Sequence, residues 1–307
     1  MLTRRAFVGL CGAGLAAATG PRAWADDPPL VVIFSSAAST RSAAVCKGFK
    51  AGLGEAMVMS CDLSAEADAG AFIADNLAGV SVGAVFAVGD VALRVALREF
   101  NQTPVVWADA LDNAAASIYP KARGVSPRLD PTAVLSRLKT LKSDLSVLGV
   151  LRSTTDVDPY WEVVSAACQA AGVKLMSPPV SGGADVSNAF KSLIAGAQLT
   201  WIQPDAGLWS GAVLASLFHE ASLSGHPVMS FDREQMAAVQ GPPLVAETDP
   251  AAMGAQAAEL AKALLAGSPP SELQRYAGPV LVGNMVALRK AGVLVNKKTA
   301  AALDLLQ

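Results

Sequence analysis

Only two histidines occur in the 307 residues, His219 and His226, and neither stands at a metal-like spacing or beside a cysteine. The patterns H-E-x-x-H, C-x-x-C and G-x-x-x-x-G-K-[ST] are all missing. With them go the usual sequence signatures of zinc hydrolysis, dithiol redox chemistry and the phosphate loop. No catalytic residue, metal or cofactor is therefore expected. Charge is sparse too: Lys, Arg, Asp and Glu make up 16% of the chain, its formal net charge is −2, and the basic residues form no cluster. Such a chain is a poor partner for nucleic acid or anionic lipid. After residue 25 no apolar run approaches the roughly 20 residues that a membrane span needs, so stable membrane insertion of the mature chain is not expected. Low-complexity segments and short-period repeats are missing as well.

The N-terminus supplies the first positive signal. Thr3-Arg4-Arg5-Ala6-Phe7-Val8 is a twin-arginine pattern, a weakly apolar run follows over 9–20, and Ala23-Trp24-Ala25 presents small residues where a signal peptidase reads. The segment reads as a Tat-like export leader over 1–25, cleaved after Ala25, with a Sec leader that carries two arginines as the alternative. The expected location is the periplasm. Cys11 lacks a small residue before it and is not read as a lipid anchor. Cys46, Cys61 and Cys168 remain, an odd number that leaves at least one thiol free. A Cys46–Cys61 disulfide near one sheet edge is one option and buried free thiols are the other.

Between residues 30 and 108 the chain alternates strand and helix. Strands are expected over 30–34, 56–61, 83–88 and 104–108, with helices over 39–53, 67–77 and 90–100. The first, Leu30-Val31-Val32-Ile33-Phe34, is a continuous apolar run, as a strand buried on both faces should be. The pattern restarts after 123–127. Helices are expected over 131–141, 159–171, 184–195, 210–224 and 250–266, with strands over 147–151, 173–176, 199–202, 227–230 and 244–246. Asp130-Pro131, Asp158-Pro159 and Asp249-Pro250 each place a capping acid before a first-turn proline. Gly172, Gly196, Gly225 and Gly267 are read as C-terminal caps. The fold class is α/β: two doubly wound parallel-sheet, Rossmann-like lobes with a cleft between them.

In open parallel sheets, ligands bind beyond the strand C-terminal ends. Those ends carry the candidate ligand residues Ser35, Ser36, Trp107, Asp109, Thr154, Asp205, Trp209 and Ser230. Asp205 or Asp109 would take an ammonium, Ser35 and Ser36 a carboxylate, and Trp107 or Trp209 a flat apolar part. Helix capping is the competing role for Ser35, Ser36, Ser39, Asp90, Asp232 and Asp249, and core packing for Trp107, Trp201 and Trp209. Thr155 and Asp156 extend the set. Arg152 and Arg41 are the cations near these ends.

The order of several short motifs resembles the ABC-transporter substrate-binding proteins related to tryptophan and tyrosine receptors. The matching pieces are Gly48-Phe49-Lys50-Ala51-Gly52-Leu53, Gly124-Val125-Ser126, Trp201-Ile202-Gln203-Pro204-Asp205, His226-Pro227-Val228-Met229-Ser230 and Gln240-Gly241-Pro242-Pro243-Leu244. They continue through Asp249 to Gly254, Gly267-Ser268-Pro269-Pro270 and Asn296-Lys297-Lys298-Thr299-Ala300. Pro242-Pro243 and the missing aromatic after Asp249 depart from the family pattern. The resemblance implies a type I periplasmic-binding-protein fold with a hinge of three crossovers, no catalysis, and Ser35, Asp109 and Asp205 at the cleft. The expected lobes are 26–124 plus 248–280 and 125–247 plus 281–307. The function implied is an exported, monomeric receptor that delivers a small organic solute to an inner-membrane ABC permease. A sensor or accessory protein that uses the same fold to bind a protein partner is the alternative, and an unrelated periplasmic enzyme is the third reading.

Overall fold

The computed structural model describes residues 28–63, 66–111, 114–154, 159–205, 208–268, 274–276 and 278–306. The leader motif, Thr155, Asp156, Asp158, Pro269 and Pro270 lie outside these residues.

The chain begins with β1 (Leu30–Ser35), α1 (Thr40–Leu53), β2 (Met57–Asp62), α2 (Glu66–Asn76), β3 (Ala84–Val88), α3 (Asp90–Glu99), β4 (Val105–Ala108) and β5 (Ala122–Leu129). It continues through α4 (Pro131–Leu141), β6 (Val147–Ser153), α5 (Tyr160–Ala170), β7 (Lys174–Met176), β8 (Pro179–Val180), α6 (Val186–Gly196), β9 (Leu199–Ile202), α7 (Gly211–Ser224), β10 (Val228–Ser230) and β11 (Leu244–Glu247). It closes with α8 (Pro250–Leu265), β12 (Gln274–Tyr276), β13 (Val280–Gly283), α9 (Met285–Lys290), α10 (Lys297–Ala300) and β14 (Leu305–Leu306).

Two sheets form. The first has the order β12-β5-β4-β3-β1-β2 and is parallel throughout. The second has the order β14-β13-β11-β10-β9-β6-β7, with β8 added beside β6, and only the β11/β13 pair is antiparallel. In each sheet the chain starts inside, goes one strand to one side, and then works outward on the other. That places a switch point between β1 and β3 and another between β6 and β9, where ligand crevices open in doubly wound sheets.

Most apolar runs have the burial that two-sided packing demands, but β2, at the edge of the first sheet, is mostly exposed, Met57 and Val58 among its open residues. All of β3, β4 and β9 is buried, and β1 is buried from Val31 onward. Asp130 accepts the Thr132 N–H and Asp249 accepts the Ala251 and Ala252 N–H groups, with a proline at the first helical positions in both cases. Gly225 adopts the left-handed conformation at the end of α7. Gly196 does not cap. It is the last residue of α6, where a Cβ would crowd the Met176 sulfur at 2.8 Å, and Ala197 follows in extended conformation.

The segment read as a break at 123–127 is the strand β5 of the first sheet. Its ladder to β12 jumps from Ser126/Arg275 to Leu129/Tyr276. It thereby passes over Pro127, which has no N–H to offer. The chain leaves the first sheet only after Leu129, returns to it through α8 and β12, and reaches the second sheet again at β13. The return of α8 is close. A Cβ on Gly254 would overlap the Val45 carbonyl, and one on Gly48 would overlap that of Ala251. The two helix backbones therefore touch, and together they cover Val31, Ile33 and Phe86.

None of the three remaining cysteines is in a disulfide; Cys46 and Cys61 are half-buried and Cys168 is buried. A Cys46–Cys61 bridge is disfavoured by the sheet. Cys61 pairs in register with Phe34, which faces α2 and α3, whereas Cys46 packs on α1 against the other face. Burial pushes the Cys168 thiol up to about 11, and burial likewise raises Cys46. Both are kept in the unreactive protonated form.

Candidate functional site

At the first switch point, small hydroxyl residues mainly complete the loops. Ser39 caps its own helix by accepting the Ser42 N–H at 3.0 Å. Ser36 caps a different one: its hydroxyl accepts the Ala92 N–H at 2.9 Å, in the first turn of α3. The cap residue of that helix is Gly89, which has no side chain to offer, sits at φ 86° and leaves 2.7 Å between a virtual Cβ and Ser36 Oγ. Ser35 is buried and donates its hydroxyl proton to Ala37 O. That proton is unavailable to a carboxylate.

Next to this crevice, Asp109 follows β4 at φ 58°, the only non-glycine residue with positive φ among the described residues. Such a backbone persists where surrounding contacts hold it. Here Arg41, from the first turn of α1, binds both Asp109 oxygens at 2.7 Å through Nε and Nη2, and Nη2 also donates to Thr248 Oγ1 at 2.7 Å. Thr248 lies between β11 and α8, so this fork ties the first sheet to the chain crossing from the second. Burial works against the Arg41 charge. The hydrogen bond and field of Asp109, with Glu247 and Asp232 behind it, outweigh that and raise the Arg41 pKa. Glu247 is itself paired with Arg233, whose Nε lies 2.5 Å from Oε1. Asp232 caps the turn that follows β10 by accepting the Glu234 N–H.

At the second switch point, Thr154 is exposed and its N–H donates to Val180 O at 2.8 Å. Asp205 is half-buried and accepts the Leu208 N–H at 3.0 Å. Trp209 is half-buried and donates Nε1–H to Gln203 O at 2.6 Å, which stitches the loop after β9. Ser230 is buried and bonded to Gln235. Trp107 is 2% exposed, its ring lying on Gly124, where any Cβ would overlap it. Trp201 is buried in the main core. The sequence candidates therefore divide. Asp109, Thr154 and Asp205 follow the C-terminal ends of β4, β6 and β9, Ser36 and Trp209 hold neighbouring loops, and Trp107, Ser35 and Ser230 are buried.

Four residues that pattern reading did not single out gather near the second switch point. Arg128, at the end of β5, is buried and lies 5.0 Å from the Tyr160 ring centroid and 5.6 Å from that of Trp161. Tyr160 and Trp161 open α5, and the Tyr160 hydroxyl donates to Leu129 O at 3.0 Å. Gln203, at the end of β9, is 2% exposed with Oε1 3.4 Å from the Tyr160 hydroxyl. The signal available for Gln203 was its place one residue beyond a fully buried strand, where a polar side chain needs a reason.

Two cavities flank these elements. One of about 570 Å³ lies at the ends of β1 and β2, lined by Ser35, Ser39, Cys46, Lys50 and Asp62. The other, about 280 Å³, lies beside the opposite strand ends of the second sheet, lined by His226, Met236, Pro242, Asn284 and Lys290. Among the described residues there is no group of three or more His, Cys, Asp or Glu side chains able to hold a metal ion, and no helix is long and apolar enough to cross a membrane.

The family model for ABC transporter substrate binding proteins matches residues 98–303. The chain belongs to that family. Members bind solutes for transporters and are not a family of enzymes; they are typically periplasmic or extracellular. No curated protein matches this member. Solved structures share its fold at low identity. A ligand-free, open substrate-binding protein with adhesive properties from Clostridium difficile has a TM-score of 0.67 at 14% identity, covering 91% of this chain and 99% of its own. An ABC domain in complex with L-Trp from Streptococcus pneumoniae has a TM-score of 0.63 at 13% identity, covering 92% and 100%. A conserved domain protein from Vibrio cholerae has 0.60 at 16%, also covering 92% and 100%. The type I periplasmic-binding fold expected from the motif order is thus the fold of this chain.

Proposed function

We propose that this family member is an exported solute receptor that closes two lobes on a small organic ligand and presents it to an inner-membrane ABC permease. The lobes are centred on the two sheets, and the chain crosses between them after Leu129, after Glu247 and between Tyr276 and Val280. The observation that carries the reading is the placement of Asp109, Thr154 and Asp205 beyond the C-terminal ends of parallel strands, two of them at the β6/β9 switch point. The same reading assigns residues 1–25 to a Tat-like leader cleaved after Ala25, a periplasmic location, a monomer, and no catalysis or cofactor. The ligand class is a zwitterionic or aromatic solute. The pneumococcal neighbour with L-Trp supports testing aromatic amino acids first.

Thermal shift of the mature protein tests this. The panel is L-tryptophan, L-tyrosine, L-leucine and benzoate, each with its primary amide, together with inorganic phosphate. A ligand present at 100 times its Kd adds about 2.7 kcal/mol to stability. A hit that Asp205→Ala weakens at least tenfold supports the receptor. One observation favours the partner-binding alternative. Val239 and Val286 line the 280 Å³ cavity and are exposed, far from the strand ends of the cleft. A panel without any hit shifts the assignment to that patch.

A further inference from the structure

Beyond the placement of the cleft, the second switch point carries a concentration of hydrogen-bond donors. Arg152, at the end of β6, lies 5.8 Å from the Trp161 ring centroid, and its guanidinium forms no ion pair among the described residues. Arg128 approaches the same ring at 5.6 Å. Two guanidinium groups thus share one indole. Arginine accepts such stacking because its planar cation is weakly hydrated and its donors stay available in the ring plane.

The strand register adds the third donor. β6 and β9 pair as Leu148/Leu199, Val150/Trp201 and Leu151/Ile202. One residue further, Arg152 and Gln203 stand at neighbouring strand ends, on the face that carries α5. Gln203 is 2% exposed, and its Nε2 has no hydrogen-bond partner among the described residues. Leaving such a donor buried costs about 1–3 kcal/mol. Nothing around it explains the cost, and a ligand acceptor would recover it.

We infer that the β6/β9 switch point is an anion subsite, in which Arg152 and Gln203, backed by Arg128 on the Tyr160–Trp161 platform, receive the carboxylate of the ligand. This deepens the receptor reading and rests on it. It moves the carboxylate from the first-lobe serines, whose hydroxyls serve the loops, to the second lobe. Asp109 and Asp205 remain for a positive group. The ligand class is a small organic carboxylate. Guanidinium groups and an amide on a flat aromatic support match a planar, two-oxygen anion.

The experiment is calorimetric titration of the full mature chain with L-tryptophan, L-tyrosine, L-leucine and benzoate, each against its primary amide. The proteins are the parent, Arg152→Gln and Gln203→Met, with thermal melts to confirm folding. The parent is expected to prefer a carboxylate over its amide at least tenfold. Arg152→Gln should weaken the carboxylate far more than the amide and bring that ratio close to one, and Gln203→Met should lower it at least threefold. A ratio unchanged in Arg152→Gln overturns the subsite and leaves the receptor reading standing. Binding of inorganic phosphate in place of every carboxylate overturns the carboxylate assignment. Silence across the whole panel removes the receptor reading, and the subsite with it.

Discussion

His226 precedes β10 with Nε2 2.8 Å from Thr200 Oγ1 and its ring edge-on to Phe190, 5.8 Å between centroids. Burial lowers its pKa to about 4. The folded protein therefore refuses a proton that the unfolded chain takes up near pH 6.5. Stability is complete above pH 6.5 and drains as pH falls towards 4, by something on the order of 1–3 kcal/mol. Urea midpoints measured from pH 7.5 to 4.5 should decline over that window, and His226→Asn should flatten the decline while lowering the pH 7.5 plateau. At Asp109, by contrast, the site was partly legible in advance. An acid at a strand end was foreseen, with Arg41 as a nearby cation. Its left-handed backbone and its fork to Arg41, which also donates to Thr248, 139 residues after Asp109, join residues that no local pattern links.

Helix-to-helix contact is where the elements reveal most. The motif pieces around Gly48 and Gly254 lie where α1 and α8 press backbone to backbone, with Gly52 beside Ala258 completing the seam. Gly254→Ala would force its methyl into the Val45 carbonyl and the Phe49 amide. Overpacking of this kind costs about 1–3 kcal/mol, so denaturant melts should show a lower midpoint with an unchanged slope. Most elements were readable because burial on both faces leaves an unbroken apolar run, as in β3 and β9, and because Asp130 and Asp249 announce their helices. The closing strands were not. β12, β13 and β14 have two to four residues each, too few to show a period. The second half of β5 was obscured by Pro127 and Arg128, a proline and a charge that usually mark a loop. Arg128, Tyr160, Trp161 and Gln203 come from three separate elements and meet only when the two sheets are set against each other.

For the whole molecule, the proposed motion has a direct readout. Saturating ligand should reduce the radius of gyration measured by small-angle X-ray scattering, because closure buries the crevices between the sheets. Arg41→Met, which removes the fork from Asp109 to Thr248, should widen the ligand-free distribution without shrinking the closed one. Unchanged scattering with a bound ligand would exclude hinge closure.

The return of α8 and β12 to the first sheet also governs how the chain can be made. The helix that covers Ile33 and Phe86 comes from Pro250–Leu265, and the edge strand beside β5 comes from Gln274–Tyr276. During synthesis at about 5–20 residues per second, the first sheet emerges early but stays incomplete for more than a hundred residues. Its bare apolar face must be shielded over that interval, by a chaperone at the ribosome or by transient collapse. The second sheet has β6 through β11 in one uninterrupted stretch but also waits for β13 and β14. Both sheets are therefore completed only near the end of synthesis, and truncations before residue 276 should yield aggregates rather than a smaller domain.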